Sequence, residues 1–166
     1  DGQTDTITEL GTFTHGYAVT KWKNVTSDGF AGSDGTGDHV DTDFPLYRLA
    51  DAYLMYAEAA LRGGGDAGLG LMYVNQLRER AYGDASNNLA SIDLPIILDE
   101  RARELYWEGT RRQDLIRYGL FTGDSYVWNF KGQDAVGASI PDFMTLFPIP
   151  AQDLVANTNL VQNTGY

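Results

Sequence analysis

Apolar residues recur at spacings of three and four between Leu46 and Leu61. Leu46, Leu49, Ala50, Tyr53, Leu54, Ala57 and Leu61 fall on one helical face. The pattern predicts a helix over residues 45–62, opened by Pro45, whose fixed backbone suits a first turn. Gly63, Gly64 and Gly65 end it, because glycine takes the left-handed C-cap geometry without steric cost. Asp66 stands where an N-cap belongs, ahead of a second helix over residues 67–82. Its apolar face is read as Leu69, Met72, Tyr73, Leu77 and Ala81. The short connection makes the two helices an antiparallel hairpin of tetratricopeptide-like length, although no second copy of the repeat is legible.

The remaining pattern is less regular. Residues 12–14 and 17–22 alternate apolar and polar positions with period two, which predicts one or two half-buried strands within residues 1–25. Residues 27–44 are rich in Gly and Asp, have no apolar period, and read as a long loop. A polar loop over residues 83–88 precedes a third helix, which begins near Leu98, breaks at Gly109, resumes to Arg117 and stops at Gly119. Residues 126–130 read as extended. Pro148 and Pro150 exclude helix around them, and residues 152–155 form a single turn ahead of a polar coil tail. The expected fold is mainly α: helix hairpins, long irregular loops, and minor β at the N-terminal end. The expected organisation is a strand and loop segment over 1–43, a helical scaffold over 44–119, and irregular loops and tail over 120–166.

Composition narrows the classes. The chain has 166 residues and a formal net charge of −11. That charge argues against a nucleic-acid partner, which calls for a broad cationic footprint, and against simple adsorption to anionic lipid. There is no cysteine, so disulfides and thiolate metal sites are excluded within these residues. No apolar run approaches the roughly 20 residues that span a bilayer as a helix. The sequence shows no signal peptide and reads as a piece of a longer protein. No Gly-rich phosphate loop, GxSxG elbow or HExxH pair occurs, and no cofactor is expected.

The densest chemistry lies over residues 98–119. Five of the nine arginines fall here, with no lysine and five carboxylates. Glu100, Glu104 and Glu108 form a stripe at spacing four, which alone would be repulsive on a helix. An arginine shares the face with each. The expected pairs are Glu100 with Arg103, Glu104 with Arg101, Glu108 with Arg111 or Arg112, and Asp114 with Arg117. Arginine suits buried bidentate pairing better than lysine. Glu104 and Glu108 also have the spacing of a retaining glycosidase pair, but neighbouring arginines lower carboxyl pKa values, whereas a general acid needs its value raised. The stretch is therefore read as a structural ion network, in which truncation of Arg111 or Glu108 is expected to cost several kcal/mol through an orphaned buried charge.

Two other groups offer ligand chemistry. Asp34, Asp38 and Asp41, with Asp43 nearby, present oxygens at alternate positions as calcium loops do, but the turn glycine and the closing bidentate Glu are out of place. A flexible acidic loop fits them better. His15 and His39, the only histidines, belong to no ligand cluster. Trp22, Tyr126 and Trp128 flank Gly-rich loops, where a ring can stack on the apolar face of a sugar. Trp107 and the tyrosines of the first helix sit at helical spacing and are expected in the core.

Three segments resemble one family, in order. FPLYRLADAYLMYAEAAL (44–61), LDERARELYWEGTRRQDLIRYG (98–119) and LFPIPAQDLVANTNLVQNTGY (146–166) resemble the C-terminal part of the SusD/RagB family. TGDSYVWNFKG (122–132) is similar to members related to the starch-binding prototype. The likeness covers about residues 43–166. Departures are small: an aromatic often stands at Gln113, and proline at Thr158 and Thr164.

The resemblance implies a lipoprotein on the outer face of the outer membrane. Such a protein binds glycans or other nutrients and acts as a lid on a TonB-dependent, SusC-like transporter. It is not an enzyme. In that setting the chain would be a fragment of a larger α-helical fold, partnered by the remaining N-terminal part of the same protein. It would carry scaffold and only the rim of the ligand site. A helical interaction module, bound to a protein partner and not to glycan, is the alternative.

Overall fold

The structure, a computed structural model, describes residues 2–166. The chain divides after Arg48 into two compact units.

The first unit contains neither helix nor strand among its described residues. Its regular pairing is confined to isolated bridges, Thr4 with His15 and Val25 with Ala31. Among the described residues the strands expected within residues 1–25 do not form, and the β structure at this end is limited to these bridges. Alternation makes a strand only where one face is buried against a partner. Here Phe13 is 94% exposed and Tyr17 is exposed as well. Trp22 is half-buried and packs on Phe44, with ring centroids 5.4 Å apart.

In the second unit, α1 (Leu49–Ala59) is followed by a wide turn over Ala60–Gly64 and then α2 (Ala67–Tyr82). α1 starts four residues later than the sequence pattern suggests. Leu46 is exposed, so no core contact stabilises an earlier turn. Gly63 takes φ 94°, the left-handed geometry that the glycine run supplies. The Asp66 carboxylate caps α2 by accepting from Gly68 N (2.7 Å) and Leu69 N (3.2 Å).

The core consists of Leu54 and Ala57 of α1, Val74 of α2 and Ile97 of α3. α2 buries Gly70 and Val74, whereas Met72 and Ala81 of its expected face are exposed. Gly70 is the reason for this rotation. A Cβ there would stand 3.1 Å from Ala57 Cα, so the two helices touch almost backbone to backbone at that point. The tyrosines close the same seam: Tyr53 stacks on Tyr73 at 4.3 Å, and Tyr56 meets Tyr73 edge-on at 5.3 Å.

α3 (Leu94–Glu104) begins four residues before Leu98. Asp93 caps it by accepting from Ile96 N at 2.8 Å, and Pro95 sits in its first turn. It ends at Glu104 and not at Gly109. Residues 105–109 form turns, with Trp107 at φ 63°. α4 (Arg111–Arg117) and α5 (Ala151–Ala156) follow. No helix among the described residues is long and apolar enough to cross a membrane.

Candidate functional site

Charge ties α1, α3 and α4 together. Arg101 of α3 donates to Asp114 of α4 (2.9 Å) and to Asp51 of α1 (2.8 Å). Arg117 of α4 donates to Asp114 (2.9 Å) and, through both Nε and Nη2, to Glu58 of α1 (2.7 and 2.8 Å). Arg62 reaches the same Glu58 at 3.0 Å. Three carboxylates and three guanidinium groups thus alternate through the contact between these helices. Burial pushes the Glu58 carboxyl up, but its hydrogen bonds and attraction to Arg117 and Arg62 outweigh that and hold it below the usual range. Burial, followed by the negative Glu58, pushes the Tyr118 phenol up to about 12.

The other charges of the stretch are arranged as follows. Glu100 accepts from Arg103 (2.8 Å) and from Arg78 of α2. Glu104 accepts from Arg80 of α2 through both oxygens (2.7 and 2.6 Å). Arg101 therefore serves Asp51 and Asp114, not Glu104. Arg111 donates to Leu98 O (2.9 Å) and Tyr126 Oη (2.7 Å). Arg112 donates to Met144 O (2.7 Å) and Thr145 O (3.1 Å), and its guanidinium lies 4.1 Å from the centroid of Phe147. Neither takes Glu108 as its partner. The same early helix end removes the geometry of a Glu104–Glu108 pair, because Glu108 does not continue the α3 face.

Arg111 and Arg112 hold the segment that follows α4. That segment returns on itself through a bridge between Gly123 and Ile140, with Gly123 N donating to Ile140 O at 2.9 Å. It carries Tyr126 and Trp128, whose rings meet at 5.7 Å with a 58° tilt, and so it is not a simple extended run. Farther along, the Gln162 side chain bonds both the N and O of Ile149 (2.8 and 2.9 Å), which fastens the tail.

Between this segment and the α3–α4 turn lies a cavity of about 660 Å³. Leu105, Tyr106, Trp107, Tyr126 and Trp128 give it apolar and aromatic walls, and Arg101, Arg111, Arg112 and Thr110 add polar groups. Trp107, expected in the core, is 61% exposed and stands on this wall. A helix continued to Gly109 would have turned it inward. The end of α3 at Glu104 and the positive φ at Trp107 turn it out. Sequence spacing gave no signal of that end.

Tyr126 and Trp128 are thus brought together, while Trp22 belongs to the first unit. The calcium candidates do not converge. Asp34 accepts from Thr36 N (2.9 Å), Asp38 N (3.0 Å) and His39 N (2.8 Å), and Asp41 accepts from Ser33 N (2.6 Å) and Ser33 Oγ (2.7 Å). The backbone bond from Thr36 chiefly lowers the Asp34 pKa, and that from Ser33 lowers the Asp41 pKa. Among the described residues no three metal-ligating side chains group together.

A model of the SusD family matches residues 2–166. The starch-binding protein SusD of Bacteroides thetaiotaomicron is 43% identical over 99% of this chain and 28% of its own length. SusD-like protein P25 of Formosa agariphila is 34% identical over 73% of this chain and 24% of its own. A SusD superfamily structure from Bacteroides vulgatus superposes with a TM-score of 0.61 at 31% identity, covering 81% of this chain and 30% of that one. The structure of a "putative sugar binding protein" from the same species gives a TM-score of 0.61 at 30% identity, with coverages of 87% and 34%. The chain spans less than a third of the length of the curated relatives it matches. By sequence and by fold, this chain belongs to the SusD family.

Proposed function

We propose that this chain is part of a cell-surface glycan-binding protein that captures oligosaccharide for uptake. The observation that carries the reading is its 43% identity, over nearly its whole length, to a protein named for starch binding. The aromatic-walled cavity supports it. Capture needs a concave surface with stacking rings and a few hydrogen bonds, and no acid or nucleophile. The α1–α2 hairpin, of tetratricopeptide-like form, and the ion network supply rigidity beneath that surface. Tyr126 and Trp128 form the platform, and Trp22 contributes as a separate ring.

In this reading the whole protein is lipid-anchored on the outer face of the outer membrane. It passes its glycan to a SusC-like, TonB-dependent transporter, and the remaining N-terminal part of the protein completes the ligand site. It binds and does not cut.

Affinity electrophoresis of the protein through gels containing starch or other neutral polysaccharides tests the proposal. Retardation by at least one polysaccharide, weakened by Trp128→Ala, is expected. Migration unchanged in every gel would favour the helical interaction module, which the exposed Trp107, Leu146 and Phe147 also suit. Release of reducing sugar, abolished by Glu104→Gln, would overturn the non-catalytic reading.

A further inference from the structure

Lys131 is the one buried lysine among the described residues, at 2% exposure. Its Nζ donates to Tyr126 O at 2.5 Å and lies 4.8 Å from the centroid of the Trp128 ring. No carboxylate pairs with it among the described residues. A buried ammonium must be solvated by what surrounds it. Here the carbonyl of one platform residue and the π face of the other do so.

The backbone around Lys131 is bent to make this possible. Phe130, Gly132 and Gln133 all have positive φ, at 67°, 66° and 67°. For Phe130 and Gln133 such geometry is strained and persists only where the surroundings hold it. The surroundings are visible: Lys131 N donates to Trp128 O (3.0 Å), and Lys131 O accepts from Ala138 N (2.9 Å). The chain is thus wound about the lysine. Gly137, at φ 85°, permits the close passage, since a Cβ there would collide with Trp128 O.

Tyr126 has a cation of its own. The Arg111 guanidinium lies 5.6 Å from the Tyr126 ring centroid and donates to its hydroxyl. Each ring of the platform therefore has its own cation, one from α4 and one from inside the loop. Arg111 fixes the tip of Tyr126. Lys131 fixes the backbone of Tyr126 and the plane of Trp128 together.

We propose that Lys131 is the positioning residue of the Tyr126–Trp128 platform, setting the ring geometry that a sugar face would stack on. The inference rests on the glycan-binding reading for its purpose, but its geometric part can be tested without ligand.

Near-UV circular dichroism of wild type minus Trp128→Phe isolates the Trp128 band. In Lys131→Met, which keeps the stem and removes the charge, that band should collapse while cooperative unfolding persists. Polysaccharide retention should weaken about tenfold. An unchanged Trp128 band in folded Lys131→Met would overturn the inference. Full polysaccharide affinity alongside a collapsed band would overturn its functional half.

If Lys131→Met does not fold, lysine side-chain carbon NMR of wild type and Trp128→Phe decides instead. One lysine methylene signal should be shifted upfield by the indole and move in the variant, and absence of such a signal would refute the placement. Failure of Trp128→Ala and Tyr126→Ala to alter retention would sink the platform's part in glycan binding, and absence of any retention in wild type would sink the glycan reading itself; both results are distinct from either spectral outcome.

Discussion

Replacing Asp114 by alanine should be among the most damaging single changes outside the apolar core. The side chain is 1% exposed, and its Oδ1 accepts from Arg101 Nε and Arg117 Nη2, each at 2.9 Å. Removing it leaves the buried Arg101 with Asp51 alone. Breaking a buried pair by deleting one partner costs about 3–5 kcal/mol, mostly for the stranded charge. For a folded unit of 150–250 residues that corresponds to a fall in thermal midpoint of roughly 6–20 °C. Arg103→Ala serves as the control, because its side chain is 55% exposed and its pair with Glu100 should contribute no more than about 1 kcal/mol.

The double variant Arg101→Met with Asp114→Leu sharpens the test. It removes both buried charges, leaves Arg117 with Glu58, and leaves Asp51 partly hydrated. It should be more stable than Asp114→Ala alone. The assay is thermal or urea unfolding followed by far-UV circular dichroism. An Asp114→Ala midpoint within about 2 °C of wild type, roughly the shift of a surface change, would refute the reasoning. It would show that water, and not Arg101, satisfies the carboxylate.

Other consequences follow from the same geometry. Asn75→Ala removes both side-chain bonds to Leu89, to its O at 3.0 Å and from its N at 2.8 Å, and should cost about 1–3 kcal/mol by urea unfolding. Asp93→Ala removes the N-cap of α3 and should cost about 1 kcal/mol, read by the same titration. Glu58 has a lowered folded-state pKa, so the stability it contributes is complete above its ordinary 4.5 and is lost as pH falls through the lower folded value. Glu58→Gln should lower stability at neutral pH and flatten the acid limb of a stability–pH profile. A variant profile parallel to wild type would contradict this.

The elements that could be read from sequence are those whose signals are local. α2 begins after Asp66 and ends before Gly83, because an N-cap carboxylate and a left-handed glycine act within a few residues of themselves. Its buried face was not legible in the same way. The moment of apolar residues favoured Met72 and Ala81, but the close approach at Ala57 selected Gly70, a residue with no hydrophobic weight. The end of α3 was hidden for a similar reason. Nothing between Leu105 and Glu108 breaks a helix, and the turn appears only with Leu105 buried and Trp107 turned outward.

The charged stretch shows the same division. Its arginine richness pointed to pairing, and the i, i+3 pairs Glu100–Arg103 and Asp114–Arg117 are present. Longer-range partners could not be counted along a helix. Arg101 finds Asp51 fifty residues away, and Arg117 finds Glu58 fifty-nine residues away. Arg111 and Arg112 turn to carbonyls and rings in the loop that follows.

Sequence alone determined the mainly helical class, the hairpin with its caps, and membership of a family recognisable from three ordered segments. These depend on short-range periodicity and local backbone chemistry, which the chain carries wherever it is placed. Tertiary structure alone decided the long-range pairings of guanidinium and carboxylate, that Trp107 lines a cavity, and that Lys131 is buried against the Tyr126 carbonyl and the Trp128 ring. The pairings and the setting of Lys131 follow from the cost of leaving a charge without a partner. That cost is settled only when distant segments meet.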